Sequence, residues 1–496
     1  MPLSRVAPGV AALAIAAATA AAQQQQQQQQ QQPAVDYARY FAERTMRVDY
    51  YHTGGPAPGG ASGAPVEVVS LDQVVADGPW PGSRTRLVDD SEMGQYRFAV
   101  LDSASGQLLY SRGFSSIYGE WETTAEPRTM HRTFHESLRF PWPKAAVRVV
   151  LERRDAGTGA FRELWTTVVN PASRGVNPAP AAPTGRVWTV FESGAPAAKV
   201  DLVVLGEGYT AAEMPKFHRD VRRLVDTLFA TEPFRSHRGD FNVRAIDLPS
   251  AESGISRPHA GRYRRSRTGT QYSVFDSERY VLSLDNRAMR DVLSAAPYEF
   301  VAVVVNEKQY GGGGIYNLHS TVAAGTEFAP YVFVHEFGHH FAGLADEYYT
   351  SPVAYETGAA ARRPEPWEPN VTALRDPARL KWRDLVPAGT PLPTPWNKAE
   401  YERQSRDVQA RRARLVADRA PEADFDRLFR EQRAAESRLL AANQYAGRVG
   451  AFEGAAYEAT GLFRPEVDCI MFSRNPVGFC DVCRRAIERI IAMYTN

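Results

Sequence analysis

The sequence predicts an α/β domain preceded by an all-β, sandwich-like domain, and three observations support this. Apolar and polar residues alternate over 36–170, with turn signals at Ser105-Gly106 and at 157–159, as is typical of half-buried strands. Residues 171–186 are rich in proline, alanine and glycine, which indicates an extended linker. From residue 187 to 496, buried strands alternate with helical segments, as they do in α/β domains.

Residues 1–22 precede these domains and predict a secretory signal peptide that is cleaved near Ala22. They contain an early arginine, Arg5, followed by an alanine-rich apolar stretch that ends in small residues. The alternative is a retained anchor, but a membrane span needs about 20 apolar residues and this stretch is shorter. Segment 23–35 is low-complexity sequence rich in glutamine. We therefore expect a secreted or periplasmic protein.

The composition excludes several classes of partner. The formal net charge is +1, which gives no basis for binding nucleic acid or an acidic membrane. After residue 22, no run approaches about 18 consecutive apolar residues, so the sequence predicts no stable insertion into a membrane.

The β domain is predicted from strands such as those around Tyr96, Phe98 and Val100, or around Val147 and Val149. Their side chains alternate between a buried and an exposed face. The domain contains no set of residues of catalytic type. We expect it to support the second domain or to recognise a ligand.

In the second domain, Val200–Leu205 predicts a buried strand, and a capping box at Thr210–Glu213 predicts the start of a helix. The apolar residues of that helix recur on one stripe: Phe217, Val221, Leu224, Val225 and Leu228. Further strands are predicted at Phe241–Leu248 and Phe300–Val305. A long helix from about Thr326 follows, and it carries the residues of most chemical interest.

That helix contains His335, Glu336 and His339 in the pattern HExxH. Residues four apart lie on one face of a helix, so both imidazoles can bind one metal ion. Glu336 lies beside that face, where it can act as general base toward a zinc-activated water. The alternative is a core helix whose histidines are satisfied by hydrogen bonds, but burying three ionisable groups without a metal is costly. The motif predicts one catalytic Zn²⁺ ion.

The residues after the second histidine supply a third ligand. Gly343 suits a left-handed helix end that turns the chain back toward the metal. The metzincin motif is HExxHxxGxxH, and this sequence resembles it with one extra residue before the glycine and with Asp346 at the ligand offset. Glu347 is the rival, either as third ligand or as the partner of a ligating histidine. His340 points away from His339, and we do not expect it to bind the metal.

Further segments accompany the motif: VDLVVLGEGYTAAEM at 200–214, FNVRAIDLPSAESG at 241–254, YGGGGIYN at 310–317, and the C-terminal GLFRPEVDCIMFS and FCDVCRRAI. Together with HEFGHHFAGLADEYY they resemble the IgA-cleaving zinc metallopeptidase family. The resemblance implies a metzincin-like α/β catalytic domain behind a β-rich domain, with endopeptidase activity on protein or peptide substrates. It implies that Met471 forms a methionine turn beneath the zinc ligands. It does not imply that immunoglobulin A is the substrate.

These features predict a secreted zinc endopeptidase in which Glu336 takes a proton from the attacking water and passes it to the leaving amine. Some metzincins place a tyrosine two residues beyond the methionine, where this chain has Ser473. Tyr348 and Tyr457 are therefore the candidates for stabilising the transition state. The alternative is a non-catalytic protein that binds a surface or host ligand and holds a structural zinc. A structural site has no use for Glu336 and normally has four protein ligands.

The glycines Gly311–Gly314 precede the metal helix and allow two interpretations. They form either a flexible loop or an edge strand whose bare backbone pairs with a substrate peptide. The second interpretation corresponds to the substrate-binding edge strand of metzincins.

Residues 352–450 form a predicted insertion between the metal helix and the C-terminal segments. Its first half is rich in proline and irregular, whereas Lys398–Ala446 is charged and helical. Because acidic and basic residues are interleaved, we expect a solvated helical hairpin that covers one side of the cleft.

The three cysteines are Cys469, Cys480 and Cys483. In an exported protein an odd count predicts one disulfide and one free thiol. The CxxC spacing also suggests a redox or zinc-ribbon element, but a site of four thiolates would lack its fourth member.

Overall fold

The computed structural model describes residues 35–57, 66–182, 184–351 and 364–495. The predicted signal peptide lies outside the described residues, as do all but the last residue of the glutamine-rich segment and residues 352–363 of the predicted insertion. The described chain forms a β-rich region followed by a mixed α/β region.

The β-rich region has two short helices, α1 (Tyr37–Tyr40) and α2 (Ile117–Trp121). Its strands are β1 (Phe41–Gly55), β2 (Val66–Pro79), β3 (Tyr96–Asp102), β4 (Leu108–Phe114), β5 (Arg132–Pro143), β6 (Val147–Arg154), β7 (Phe161–Val169) and β8 (Val176–Asn177). They form two four-stranded sheets, ordered β5–β1–β2–β8 and β4–β3–β6–β7.

Alternation along the strands gives each sheet one apolar face. In β3 the side chains of Tyr96, Phe98 and Val100 are buried, whereas the residues between them are only half-buried. They join Val48 and Tyr50 of β1, in the other sheet, in one apolar core. The prediction of a β-rich N-terminal region is confirmed.

Little regular structure connects the two regions. Among the described residues of 171–186, only the two-residue strand β8 pairs with its neighbour before the next strand begins. The proline-rich composition accounts for this, since proline lacks the N–H that a strand needs.

The mixed region is built on a six-stranded sheet. Its strands are β9 (Arg186–Phe191), β10 (Val200–Glu207), β11 (Phe241–Asp247), β14 (Phe300–Val305), β15 (Gly312–Ile315) and β16 (His319–Ala323), and the smaller pairs are β12 (Thr270–Gln271) with β13 (Leu282–Ser283) and β17 (Phe452–Ala455) with β18 (Glu458–Arg464). The sheet order is β15–β16–β14–β10–β11–β9. The four inner strands are parallel, and the two edge strands are antiparallel to their neighbours.

The helices of this region are α3 (Met214–Leu228), α4 (Asn286–Leu293), α5 (Ala329–Ala342), α6 (Lys398–Ala417), α7 (Glu422–Ala441) and α8 (Asp481–Tyr494). None of the helices in the described residues is long and apolar enough to cross a membrane. Helices α6 and α7 form the hairpin predicted for the second half of the insertion.

Helices on both faces of the sheet explain why β10 is buried along its whole length. Leu202 and Val204 face a core shared with α3 and α5, whereas Val203 and Leu205 face a second core shared with α4. Every residue of β10 is buried, as expected of a central parallel strand.

The start of α3 has the local structure that its sequence predicts. Thr210 and Glu213 form the predicted capping box around a short turn that leads into the helix. All five residues of the predicted apolar stripe are buried on α3. This helix packs beside α5, the helix that carries the HExxH motif.

Candidate active site

Helix α5 brings the two motif histidines together. His335 and His339 lie one turn apart, and their Nε2 atoms are 3.2 Å from each other. The helix ends at Gly343, whose φ of 57° is left-handed, a conformation that costs glycine little. The chain then returns toward the histidines.

That return brings Asp346 to the histidines. Its Oδ1 atom lies 3.0 Å from His335 Nε2 and 3.2 Å from His339 Nε2. Glu347 points elsewhere, because its Oε1 is 3.3 Å from Cys483 Sγ. The geometry thus groups Asp346 with the histidines and Glu347 with the cysteines.

Backbone carbonyls hold the two imidazoles in one tautomer. His335 Nδ1 donates to the Ile470 carbonyl at 2.9 Å, and His339 Nδ1 donates to the Leu344 carbonyl at 2.5 Å. Each Nε2 is then left with a lone pair that faces the Asp346 carboxylate. Lone pairs that converge in this way require a cation or a proton between them.

The three converging atoms fit zinc. Tetrahedral zinc with bonds of about 2.0–2.1 Å separates its nitrogen and oxygen ligands by about 3.3 Å, close to the 3.0–3.2 Å found here. Without a metal, protons fill the same role. Burial alone would lower the pKa of His339, but Asp346 raises it to about 9; burial alone would raise the pKa of Asp346, but the histidines hold it well below its usual range.

Glu336 lines the same cleft as His335, His339 and Asp346. Burial raises the pKa of its carboxyl, although His335 and His339 oppose that shift. A carboxylate with a raised pKa is a better proton acceptor than one free in water.

The glycine-rich segment is the edge strand β15, and it packs directly on the metal helix. A Cβ atom on Gly312 would lie 3.1 Å from Glu336 Cγ, and one on Gly314 would lie 3.0 Å from His339 Cβ and collide with the Glu336 backbone oxygen. The glycines are therefore required for close packing of strand and helix.

Part of the outer edge of β15 is already paired. Gly312 accepts from the Val281 N–H at 3.1 Å and donates to the Arg279 carbonyl at 3.3 Å. Gly314, further along the strand, lines the cleft. Of the two interpretations of the glycines, the structure has the edge strand, and Gly312, Gly314 and Ile315 of that strand line the cleft.

Met471 lies under the helix, where the methionine turn was expected. It is fully buried, and its Sδ is 3.1 Å from the point where a Cβ on Gly338 would stand. Gly338 lies between the two histidines on α5. Met471 thus packs directly against the backbone that carries them.

Two tyrosines lie beside Asp346 and His335. The Tyr457 hydroxyl donates a short hydrogen bond to Asp346 Oδ2, and the Tyr348 ring meets the Tyr457 ring edge to face at 5.5 Å. The Tyr348 ring also stacks on His335 at 6.2 Å. Both tyrosines named from the sequence therefore adjoin the site.

Two family models match this chain. The model described as IgA Peptidase M64 matches residues 189–491, and the one described as Peptidase M64 N-terminus matches residues 36–166. The chain belongs to the M64 peptidase family. No curated protein matches it. The resemblance drawn from the sequence is confirmed, and the family makes the protein a peptidase whose substrates are proteins or peptides.

The M64 peptidase presents this site in a cleft of about 540 Å³. One wall comes from the α6–α7 hairpin, through Tyr401, Arg412, Phe429, Gln432 and Glu436. Ser115, Glu120 and Thr123 of the β-rich region also line the cleft. Both regions of the chain therefore border the cleft.

Some residues at the M64 site had not been predicted from the sequence. The Tyr331 hydroxyl oxygen lies 3.3 Å from His335 Nδ1, and its position one turn before His335 could have revealed it. Arg412 and Arg474 reach the cleft from distant segments, and no local pattern marks them.

His340 belongs to the core of the M64 peptidase, in keeping with the prediction that it is no ligand. Its Nδ1 donates to the Ile315 carbonyl at 3.1 Å, and its Nε2 accepts from the Val301 N–H at 3.0 Å. Burial lowers its pKa to about 3, so it stays neutral.

The predicted disulfide is wrong for this structure. Cys469, Cys480 and Cys483 are all buried free thiols, and the sulfurs of Cys469 and Cys483 are 3.9 Å apart. A disulfide bond is about 2.05 Å long. The sulfurs instead cluster around Glu347.

Proposed function

We propose that this M64 peptidase is a zinc-dependent endopeptidase that hydrolyses peptide bonds within protein substrates. The observation that carries the proposal is the convergence of His335, His339 and Asp346, whose ligand atoms lie 3.0–3.2 Å apart. Glu336 borders the same cleft. Three ligands with a neighbouring carboxylate are typical of catalytic zinc, which keeps one coordination position open.

In this mechanism His335, His339 and Asp346 hold one zinc ion. When bound, zinc would polarise the scissile carbonyl and lower the pKa of water toward 7. Glu336 accepts the proton of the attacking water and then delivers it to the leaving amine. The raised pKa of Glu336, caused by burial, suits both transfers.

The two neighbouring tyrosines, Tyr457 and Tyr348, have different roles in this mechanism. Tyr457 holds Asp346 through its hydroxyl, which fixes the carboxylate beside the histidines. Tyr348, whose ring stacks on His335, is the candidate donor to negative charge that develops on the scissile carbonyl.

The catalytic fold proposed here is metzincin-like. Three features support this: the HExxH helix, the left-handed turn at Gly343 that returns a third ligand, and Met471 packed beneath the histidines. The third ligand differs from the metzincin motif in being Asp346.

The test compares Glu336→Gln with Glu327→Gln on an unfolded protein substrate. Glu327 precedes the same helix and pairs with Arg430 at the surface, so it is the matched control. We expect Glu336→Gln to lose about 10²–10⁴-fold in kcat while keeping its zinc, and Glu327→Gln to keep both. Equal activity of Glu336→Gln and wild type would refute the proposal.

We further propose that the protein is exported to the periplasm or the medium. The support is the signal-peptide pattern of residues 1–22. N-terminal sequencing of the mature protein from its native host should begin near Gln23, and an intact Met1 on intracellular protein would contradict this.

A further inference from the structure

A second group of potential metal ligands lies behind the active site. Cys469, Cys480, Cys483 and Glu347 each offer one ligand atom, and these four atoms lie within 4.8 Å of one another. All four residues are buried. The group shares no member with the set formed by His335, His339 and Asp346.

Two separations within this group are close to those of a tetrahedral site. Zinc bonds of about 2.3 Å to sulfur and about 2.0 Å to oxygen require edges of about 3.8 Å between two sulfurs and about 3.5 Å between sulfur and oxygen. The Cys469 and Cys483 sulfurs are 3.9 Å apart, and Cys483 Sγ is 3.3 Å from Glu347 Oε1.

Glu347 is the member that most requires a cation. Its side chain is fully buried. Oε1 accepts from Asn370 Nδ2 at 3.0 Å, but Oε2 is buried without a hydrogen-bond partner in the described structure. A buried carboxylate in this state is costly unless a positive charge compensates it.

Arg464 is a buried cation near Glu347, but it donates its hydrogen bonds to backbone carbonyls. Arg464 interacts electrostatically with Glu347, whereas its guanidinium donates to the carbonyls of Gly454 and Val467. Three thiolates and a carboxylate around Zn²⁺ would carry a net charge of −2, and Arg464 would reduce it. The arginine thus fits a charged site better than a neutral cluster of thiols.

We propose that Cys469, Cys480, Cys483 and Glu347 bind a structural zinc ion, separate from the catalytic one. Each thiol loses its proton on binding, as thiolate ligands do. The closed set of four protein ligands is typical of structural zinc. No ligand position is left for water or substrate.

The proposed zinc site lies between two segments that support the active site. Glu347 directly follows Asp346, and its N–H donates to the Met471 carbonyl at 2.8 Å. Ile470, between Cys469 and Met471, accepts from His335 at 2.9 Å. An ion at the cluster would therefore tie together the two segments that position the third ligand and support the histidines.

The experiment counts metal in the full chain after reconstitution with Zn²⁺ alone and gel filtration. Wild type should hold two ions. His335→Ala/His339→Ala should keep one, and Cys483→Ser should also lose one. In the double histidine variant, Co²⁺ should give a thiolate-to-metal charge-transfer band in the near ultraviolet, and that band should weaken in Glu347→Gln.

A second experiment uses only the wild-type protein, so its result does not depend on whether a variant folds. Alkylation in denaturant with chelator but no reductant should label three cysteines, whereas in the native zinc-loaded protein it should label none. Labelling of only one would show a disulfide and overturn the proposal, as would a wild type that holds a single ion lost with the histidines. If the proposed peptidase site fails instead, wild type would hold a single ion lost with Cys483→Ser.

Discussion

The residues that converge at the active site are each fixed by a second contact. Carbonyl oxygens of Ile470 and Leu344 orient the two imidazoles, and the Tyr457 hydroxyl holds the free oxygen of Asp346. Such contacts set the tautomer and the direction of a metal ligand before the metal arrives. The site is therefore organised by segments that lie far apart in the sequence.

Replacement of Tyr457 by phenylalanine tests this organisation at a single atom. Tyr457→Phe removes the hydroxyl that donates to Asp346 and keeps the ring against Tyr348. We expect zinc affinity to fall about 10–100-fold, as is usual when the partner of a metal ligand is removed, and kcat/KM to fall with it when zinc is limiting. Zinc competition titrations and steady-state kinetics measure the two effects.

The matched control is Tyr263→Phe, because Tyr263 is 74% exposed; it should behave as wild type. If Tyr457→Phe lost kcat with zinc affinity intact, Tyr457 would act on the substrate rather than by positioning Asp346. If Tyr457→Phe kept the zinc affinity and kcat/KM of wild type, Tyr457 would have no role in the site.

At the scale of elements, the contact between β15 and α5 decides how close the edge strand comes to Glu336 and His339. Gly312 and Gly314 face the helix at Glu336 and His339. A side chain on either glycine would force strand and helix apart. The distance from the edge strand to Glu336 and His339 therefore depends on the absence of these side chains.

Gly314→Ala should disturb both stability and catalysis. Its Cβ would collide with the Glu336 backbone oxygen and crowd His339, and such overpacking typically costs about 1–3 kcal/mol. We expect a lower melting temperature and a fall in kcat/KM, measured by thermal unfolding and by peptide hydrolysis. Gly239→Ala is the control, since a Cβ there meets no atom within 4 Å; identical behaviour of the two variants would contradict the packing argument.

The elements that the sequence predicts well are those whose signal is local. The stripe on α3 and its capping box follow from spacings of three and four residues, and the buried strand β10 follows from one apolar run. Asp346 could be chosen over Glu347 from its offset to Gly343 because a helix end constrains the next few residues.

What the sequence did not predict depends on contacts between distant segments. The pairing of Gly312 with Arg279 and Val281 joins residues that no periodicity relates. Glu347 could not be assigned to the cysteines, because 122 positions separate it from Cys469, and the cysteines alone suggested a disulfide. Arg412 and Arg474 reach the cleft only through the packing of the α6–α7 hairpin and the C-terminal segment.

At the scale of the whole molecule, the β-rich region is part of the framework of the catalytic region. Buried Arg47 pairs with Asp291 of α4 at 2.7 Å, and the Tyr298 hydroxyl donates to Asp77 at 3.1 Å. Ile315 of β15 belongs to the apolar core of the β-rich region. A change in the stability of that region should therefore reach the cleft.

A buried histidine makes this stability depend on pH. His52 is fully buried between Glu136 at 3.1 Å and Glu67 at 3.0 Å, and its ring stacks on Tyr118 of α2 at 3.6 Å. Burial alone would lower the pKa of His52, but the two carboxylates raise it to about 9. Helix α2 also carries Glu120, which lines the cleft.

Because the pKa of His52 is raised in the folded state, the protein should lose stability as the pH rises. Between the ordinary value of about 6.5 and about 9 the folded state keeps a proton that the unfolded state has lost, so stability falls as the pH rises, by up to about 1.4 kcal/mol per pH unit. Buried Glu122 and Glu436 also have raised pKa values, but these are about 7, so their contribution ends below the window from pH 7 to 9.

Denaturant unfolding of zinc-loaded wild type and His52→Gln at pH 7, 8 and 9 measures this dependence. Wild type should lose stability across the range. His52→Gln should be less stable at pH 7, because it removes the cation that faces Glu136 and leaves Glu67 with Arg153 alone, and it should show a flatter slope. If the free energies of unfolding of the two proteins fell in parallel with pH, His52 would not be the group that titrates. If they became equal near pH 9, the stabilisation would come from the positive charge of His52 beside the two carboxylates.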